Sequence, residues 1–156
     1  LLDFDLSIAT FYCWNLSGQL VGYQQYNPQG DKKIFNSRLE GKYYTYRNKN
    51  IPTVTVWGLE SLSISSGPIF VAEGIFDACR MTEIGRAALA TLCNNPPKDY
   101  RNWLFSLCRP IVAICDNDAA GKKLAKFGHY VEIVPGPFDL GDAPYDYVNY
   151  LSQKYR

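Results

Sequence analysis

Asp116 and Asp118 stand two residues apart at the end of Ile111-Val112-Ala113-Ile114-Cys115, a short apolar run rich in β-branched residues. Such a run is the composition of a buried parallel strand. The segment after it, Ala119-Ala120-Gly121-Lys122-Lys123-Leu124, favours a helix. The order is therefore strand, acidic turn, helix. Ligands of open α/β sheets sit just beyond the carboxyl ends of the strands. Side chains two residues apart in extended backbone point the same way. Paired carboxylates at that position suit a hard divalent cation, above all Mg²⁺. An Asp ahead of a helix also serves as an N-cap, and Asp118 has that alternative.

The same grammar recurs at 68–78. The apolar run Ile69-Phe70-Val71-Ala72 ends in Glu73, Gly74 permits a sharp turn, and a helix begins. Asp77 lies one helical turn beyond Glu73 and can face the same site, its alternative being an ion pair with Arg80 or Lys123. A third run, 130–134, is followed by Asp139, Asp142 and Asp146. Asp142 has the alternative of capping the last helix. Three acidic strand ends in one small domain define a shared metal-binding edge. Asp116 and Asp118 are the leading ligands, and Glu73 is either a ligand or a general base. A carboxylate packed among like charges has a raised pKa, which suits proton transfer.

Elements that alternate strand and helix from residue 69 onward must position these groups. Helices are expected at 75–84, 99–107, 119–127 and 144–155, and strands at 69–72, 87–92, 111–115 and 130–134. Ile75, Ala78, Cys79 and Thr82 form one stripe, Trp103 and Leu107 another, and Tyr147, Tyr150 and Leu151 a third. Gly85 and Gly128 are natural stops, and Asn94-Asn95-Pro96-Pro97 is a break. The fold class is α/β: a mostly parallel sheet covered by helices on both faces.

Residues 1–65 read differently. Strands are expected at 10–15 and 19–26 around Leu16-Ser17-Gly18, then at 32–36 and 42–47 after Asn27-Pro28-Gln29-Gly30. Ser65-Ser66-Gly67-Pro68 marks the boundary, giving a small β-rich subdomain (1–65) and an α/β domain (66–156). Between residues 32 and 49 there are six basic side chains and one acid. Phe35, Tyr43, Tyr44 and Tyr46 interleave with them, which suits phosphate contact and base stacking. Lys32, Lys33, Arg38, Lys42, Tyr44 and Arg47 are the candidate nucleic-acid contacts, the alternative being a solvated face.

Composition narrows the classes. The chain has 156 residues, 47% of them apolar, enough for a real core. No apolar run is long enough to span a membrane, and no signal peptide is visible. The five cysteines form no Cys-x-x-Cys pair and His129 is the single histidine, so a zinc ribbon is not expected. Reduced thiols in a cytoplasm, of a bacterium or a phage-infected host, are the expectation.

At Glu73-Gly74 and Asp116-Asn117-Asp118-Ala119-Ala120-Gly121 the chain resembles TOPRIM domains, found in bacterial and phage DNA primases, topoisomerases and some nucleases. The resemblance spans roughly residues 66–150. Glu73-Gly74-Ile75-Phe76-Asp77-Ala78 is most similar to the Glu-Gly-X-X-Asp form of DnaG-type primases and primase-helicases. Gly18-Gln19-Leu20-Val21-Gly22-Tyr23 and Trp57-Gly58-Leu59 resemble elements that precede TOPRIM in primases. Two departures stand out: Phe138 replaces the lysine of the third acidic motif, and Cys93-Asn94 replace a glycine after the second strand.

The resemblance implies a nucleotidyltransferase that makes RNA primers on single-stranded DNA from nucleoside triphosphates with Mg²⁺ or Mn²⁺. Glu73, Asp116 and Asp118 would be catalytic. Asp77, Asp139 and Asp142 would join them as metal ligands, with Lys122 or Lys123 on a phosphate. A zinc-ribbon domain or a replicative helicase, in the same or another polypeptide, is an expected partner. A TOPRIM nuclease and a non-catalytic nucleic-acid-binding module remain alternatives. A topoisomerase is disfavoured, since no strand-passage domain or nucleophilic tyrosine context is recognisable.

Overall fold

A computed structural model describes residues 1–15, 17–50, 56–93, 96–119, 121–136 and 138–156. Leu16, Asn94, Asn95, Ala120 and Pro137, expected in turns, breaks and a helix start, lie outside the described residues. The chain forms two compact units, 1–57 and 58–156. The boundary thus falls ahead of the expected one at residue 65. Hydrogen bonding explains the shift. The Ser61 hydroxyl donates to the Ala88 carbonyl (2.7 Å) and accepts from the Ala88 N–H (2.9 Å). The Arg109 guanidinium donates to the carbonyls of Leu62, Ser65 and Gly67. Residues 58–65 are therefore stitched to the second unit.

The first unit is an antiparallel sheet, β1 (Leu2–Asp3), β2 (Ile8–Trp14), β3 (Leu20–Tyr26) and β4 (Tyr43–Arg47), in that order. The expected strand at 32–36 is absent. Asp31 instead organises that stretch: its carboxylate accepts from the Lys33 N–H, and its N–H donates to the Glu40 carbonyl. Local side-chain bonding of this kind competes with ladder formation.

The second unit is a four-stranded parallel sheet in the order β6-β5-β7-β8. Its strands are β5 (Ile69–Ala72), β6 (Ala87–Ala90), β7 (Ile111–Cys115) and β8 (Tyr130–Ile133). Every residue of the first three is buried, as continuous apolar runs require. The edge strand β8 departs from the expected double cover: Tyr130, Val131 and Ile133 are exposed.

The helices are α1 (Ile75–Glu83), α2 (Lys98–Ser106), α3 (Gly121–Leu124) and α4 (Tyr145–Lys154). A 3₁₀ turn, Ala125–Phe127, continues α3. Their buried faces are Ile75, Ala78 and Met81; Tyr100 and Leu104; and Val148 and Leu151. In α1 the expected Ile75 and Ala78 are buried and Met81 replaces Cys79 and Thr82. The faces of α2 and α4 are rotated from the expected stripes, because Trp103, Tyr147 and Tyr150 have polar edges that stay nearer water. Gly85 ends α1 with a left-handed φ of +75°. Gly128 has an extended backbone and is needed for another reason: a Cβ there would strike the Tyr130 carbonyl. All five cysteines are free thiols. Among the described residues, no helix is long and apolar enough to cross a membrane.

Candidate metal-binding acidic edge

Glu73 directly follows β5 and Asp116 directly follows β7. These strands are parallel neighbours, with Ile69 opposite Ile111 and Val71 opposite Ala113. The pairing delivers both carboxylates to one end of the sheet, on strands about 4.8 Å apart. Leu92 fixes the neighbouring backbone, since its N–H donates to the Glu73 carbonyl (3.0 Å). It does so in a left-handed conformation, φ +57°, that a non-glycine residue seldom adopts.

The Asp116–Asp118 turn is held tightly. The Asp118 N–H donates to the Asp116 carbonyl (2.8 Å), and Asp118 Oδ1 accepts from the Gly121 N–H (2.8 Å). A Cβ at Gly121 would collide with the backbone of Asp116. The glycine of the Asp-X-Asp-Ala-Ala-Gly run is thus a packing requirement at the start of α3.

Asp77 joins two of the acidic turns. Its Oδ1 accepts from the Gly141 N–H (2.8 Å), and its Oδ2 accepts from the Gly74 N–H (3.1 Å). Neither Arg80 nor Lys123 pairs with it; Arg80 binds Glu83 (2.8 Å) and the Ala143 carbonyl (3.0 Å). The chain bends at Glu73–Gly74 as expected, but with an ordinary Gly74 φ of −96°, so the bend itself does not require glycine. Glycine is needed there because a Cβ would stand 2.7 Å from Asp77 Oδ2. Gly141, which the sequence reading did not single out, carries no signal beyond its place after Asp139 and Leu140.

Electrostatics bind the group together. Burial raises the Glu73 carboxyl above its usual range, and the charges of Asp116 and Asp118 raise it further. Burial also raises Asp116, followed by Asp139 and Asp118. Asp77 is pushed up to about 6, chiefly by burial, with its two backbone donors opposing and Asp139 and Asp116 adding. Glu73, Asp77, Asp116, Asp118 and Asp139 therefore share one field. Asp142 contributes its N–H to Asp139 Oδ1 (3.0 Å). It does not cap α4, whose N-cap is Pro144. Glu132, in the middle of β8, is engaged elsewhere, by Lys154 (2.6 Å) and the Tyr155 hydroxyl (2.9 Å).

Among the described residues, no three carboxylate, thiol or imidazole groups converge closely enough to hold an ion as they stand. The donor set nevertheless fits a hard cation: it is all oxygen, partly buried and mutually repelling. Glu73, Asp116 and Asp118 are the side chains that would hold one, with Asp139 beside them. Lys122 and Lys123 are exposed on α3. Phe138 packs edge-on to Tyr147.

The basic half does not form one surface. The register places Tyr44 and Tyr46 on one face of the sheet and Tyr43, Thr45 and Arg47 on the other. Arg38 Nε donates to Gln25 Oε1 (2.9 Å), and the Lys42 ammonium lies over the Tyr26 ring. Lys32 and Lys33 are exposed in the 31–41 turn.

No protein-family description and no curated protein sequence matches the chain. Solved structures do. The DnaG catalytic core superimposes with a TM-score of 0.71 at 17% identity, over 94% of this chain and 52% of that one. The DnaG primase catalytic domain bound to ssDNA gives 0.70 at 17%, over 94% and 52%. The RNA polymerase domain of Mycobacterium tuberculosis primase DnaG, in complex with double-stranded DNA, gives 0.71 at 17%, over 95% and 53%. The class is therefore set by the fold: an α/β TOPRIM-type sheet preceded by an antiparallel sheet. More particularly, it is the fold of DnaG primase catalytic cores, and the chain spans about half the length of the structures it matches.

Proposed function

We propose that this chain is the catalytic part of a DNA primase, joining ribonucleotides by metal-dependent nucleotidyl transfer on a single-stranded DNA template. The observation that carries the reading is the mutual field of Glu73, Asp116, Asp118 and Asp139 at one end of the parallel sheet. The likeness to DnaG cores supports it at the level of fold.

Bound Mg²⁺ or Mn²⁺ would supply activation of the attacking 3′-hydroxyl and charge neutralisation at the leaving pyrophosphate. Asp116 and Asp118 would hold such ions. Glu73, with its pKa raised by burial and by its neighbours, receives the proton of the attacking hydroxyl. Asp77 keeps the turns carrying Glu73 and Asp139 in register. Lys122 and Lys123 provide cations for the triphosphate at the exposed start of α3. Lys32, Lys33, Arg38 and Tyr44 meet the template. A zinc-ribbon domain or a helicase, in this or another polypeptide, completes template reading.

The test is incubation with Mn²⁺, labelled nucleoside triphosphates and single-stranded DNA. Template-dependent ribonucleotide oligomers support the proposal, with Asp116→Ala abolishing them while retaining the wild-type circular dichroism spectrum. Strand scission without synthesis would make the chain a nuclease. Wild-type synthesis by Asp116→Ala would reject the metal assignment.

A further inference from the structure

The antiparallel sheet carries an aromatic row that the acidic site does not use. Tyr12 on β2 stands opposite Tyr23 on β3, and Tyr23 stands opposite Tyr46 on β4. Direct partners of an antiparallel pair share a face, so three neighbouring strands present three tyrosines side by side. The Tyr23 and Tyr46 rings stack at 5.3 Å and 24°. Tyr44 extends the row, 6.3 Å from Tyr23, and Trp14 lies 6.4 Å from Tyr12. This is not a covered face. Tyr12, Trp14 and Tyr46 keep 41%, 47% and 46% of their surface in water. Exposed aromatic side chains grouped on one sheet face are the kind of surface that binding sites use.

The polar end of the same face supplies charge. Gln25 donates to the Thr10 hydroxyl (3.1 Å) and accepts from Arg38 Nε (2.9 Å). This chain holds the guanidinium at the rim with its two terminal nitrogens unpartnered among the described residues. Arg38, Tyr12 and Tyr23 line one hollow of about 310 Å³, together with Thr10, Gln25, Asp3 and the apolar side chains of Leu1, Leu6, Ile8 and Leu39. The turn that carries Arg38 also carries Lys32 and Lys33, both exposed.

We propose that this face is a stacking platform for unpaired nucleic-acid bases, with Tyr12, Tyr23 and Tyr46 under successive bases and Arg38 on a backbone phosphate. Flat rings on adjacent strands offer π-faces to any base, and a cation at the rim follows the backbone. Two χ angles per tyrosine, already limited by stacking, keep the ordering cost low. The proposal deepens the primase reading, since it says where the template lies, but its chemistry does not depend on synthesis.

The experiment is fluorescence anisotropy with a labelled thymidine 12-mer and an abasic 12-mer, in EDTA and without nucleotides. The wild-type protein is expected to bind the thymidine strand more tightly than the abasic one. Tyr12→Ala with Tyr46→Ala together should weaken thymidine binding about tenfold or more and leave abasic binding unchanged. Tyr12→Phe with Tyr46→Phe keeps the rings and should bind as wild type, which separates stacking from folding. Arg38→Ala should weaken both strands alike and flatten the salt dependence. Unchanged thymidine affinity in the alanine pair, as expected of a face that docks a protein, would overturn the platform. So would equal loss on both strands. Absence of primer synthesis with these binding results intact would reject the primase reading alone.

Discussion

Asp77 and Gly141, sixty-four residues apart, are joined by a 2.8 Å hydrogen bond from the glycine N–H to the aspartate Oδ1. With the second bond from Gly74, it ties the turn after β5 to the turn that carries Asp139. Asp77→Ala leaves two partly buried N–H groups without an acceptor and is expected to cost about 2 kcal/mol of stability in urea unfolding at pH 4.5, below the raised pKa of about 6, where the carboxyl is protonated in the fold. Asp77→Asn keeps one acceptor oxygen and should retain roughly half of that. An alanine variant as stable as wild type would show that the clamp contributes nothing.

The same residue gives a pH dependence with a definite sign. Its folded pKa is raised from 3.8 to about 6, so the folded state binds more protons between those values. Stability must then fall as pH rises from about 4 to about 6. Glu73 and Asp116 are shifted in the same direction and reinforce it. Chemical denaturation across that range should show the decline, and Asp77→Asn should flatten it. Stability that climbs through this window in metal-free buffer would contradict the assignment.

Mutual repulsion also predicts a response to cations. At pH 7.5 millimolar Mn²⁺ should raise the melting temperature by mass action. Asp116→Asn removes one repelling charge. Without metal it should therefore melt above wild type, yet lose most of the Mn²⁺ effect. A variant that keeps the full Mn²⁺ shift would place the ion elsewhere.

The parallel half was legible because its signals are local and strong. The runs ending in Glu73 and Asp116 are apolar throughout, and a buried parallel strand has few other readings. That their acidic ends share one edge was inferred from repetition; the strand order was not, and the β5–β7 pairing is what brings Glu73 and Asp116 together. What escaped depends on contacts remote in sequence. Nothing near Gly74 says that its missing Cβ makes room for Asp77, and nothing near Asp77 points to Gly141. The stretch 32–36 has strand-like residues, yet the side chain of Asp31 diverts it into a turn. The Tyr12–Tyr23–Tyr46 row is invisible along the chain because β-pairing, not spacing, assembles it.

Gly121 carries a prediction about geometry. Its missing side chain admits the Asp116 backbone, and its N–H caps onto Asp118. Gly121→Ala forces the two apart and should destabilise the fold by about 2 kcal/mol through overpacking. The Mn²⁺ stabilisation should shrink as well, since the acidic turn moves. Gly136→Ala, where a Cβ meets nothing within 4 Å, is the matched control and should leave both unchanged.

Tyr100 tests the core itself. Its ring is fully buried between Trp103 (5.7 Å) and Phe127 (5.9 Å), on the inner face of α2. Its hydroxyl has no hydrogen-bond partner among the described residues. A desolvated hydroxyl without a partner is a net cost, whereas the ring packing survives its removal. Tyr100→Phe is therefore expected to raise stability by about 1 kcal/mol in urea unfolding, with an unchanged m-value. A loss of similar size would mean that the hydroxyl is satisfied in solution, by an ordered water or by the neighbouring Cys93.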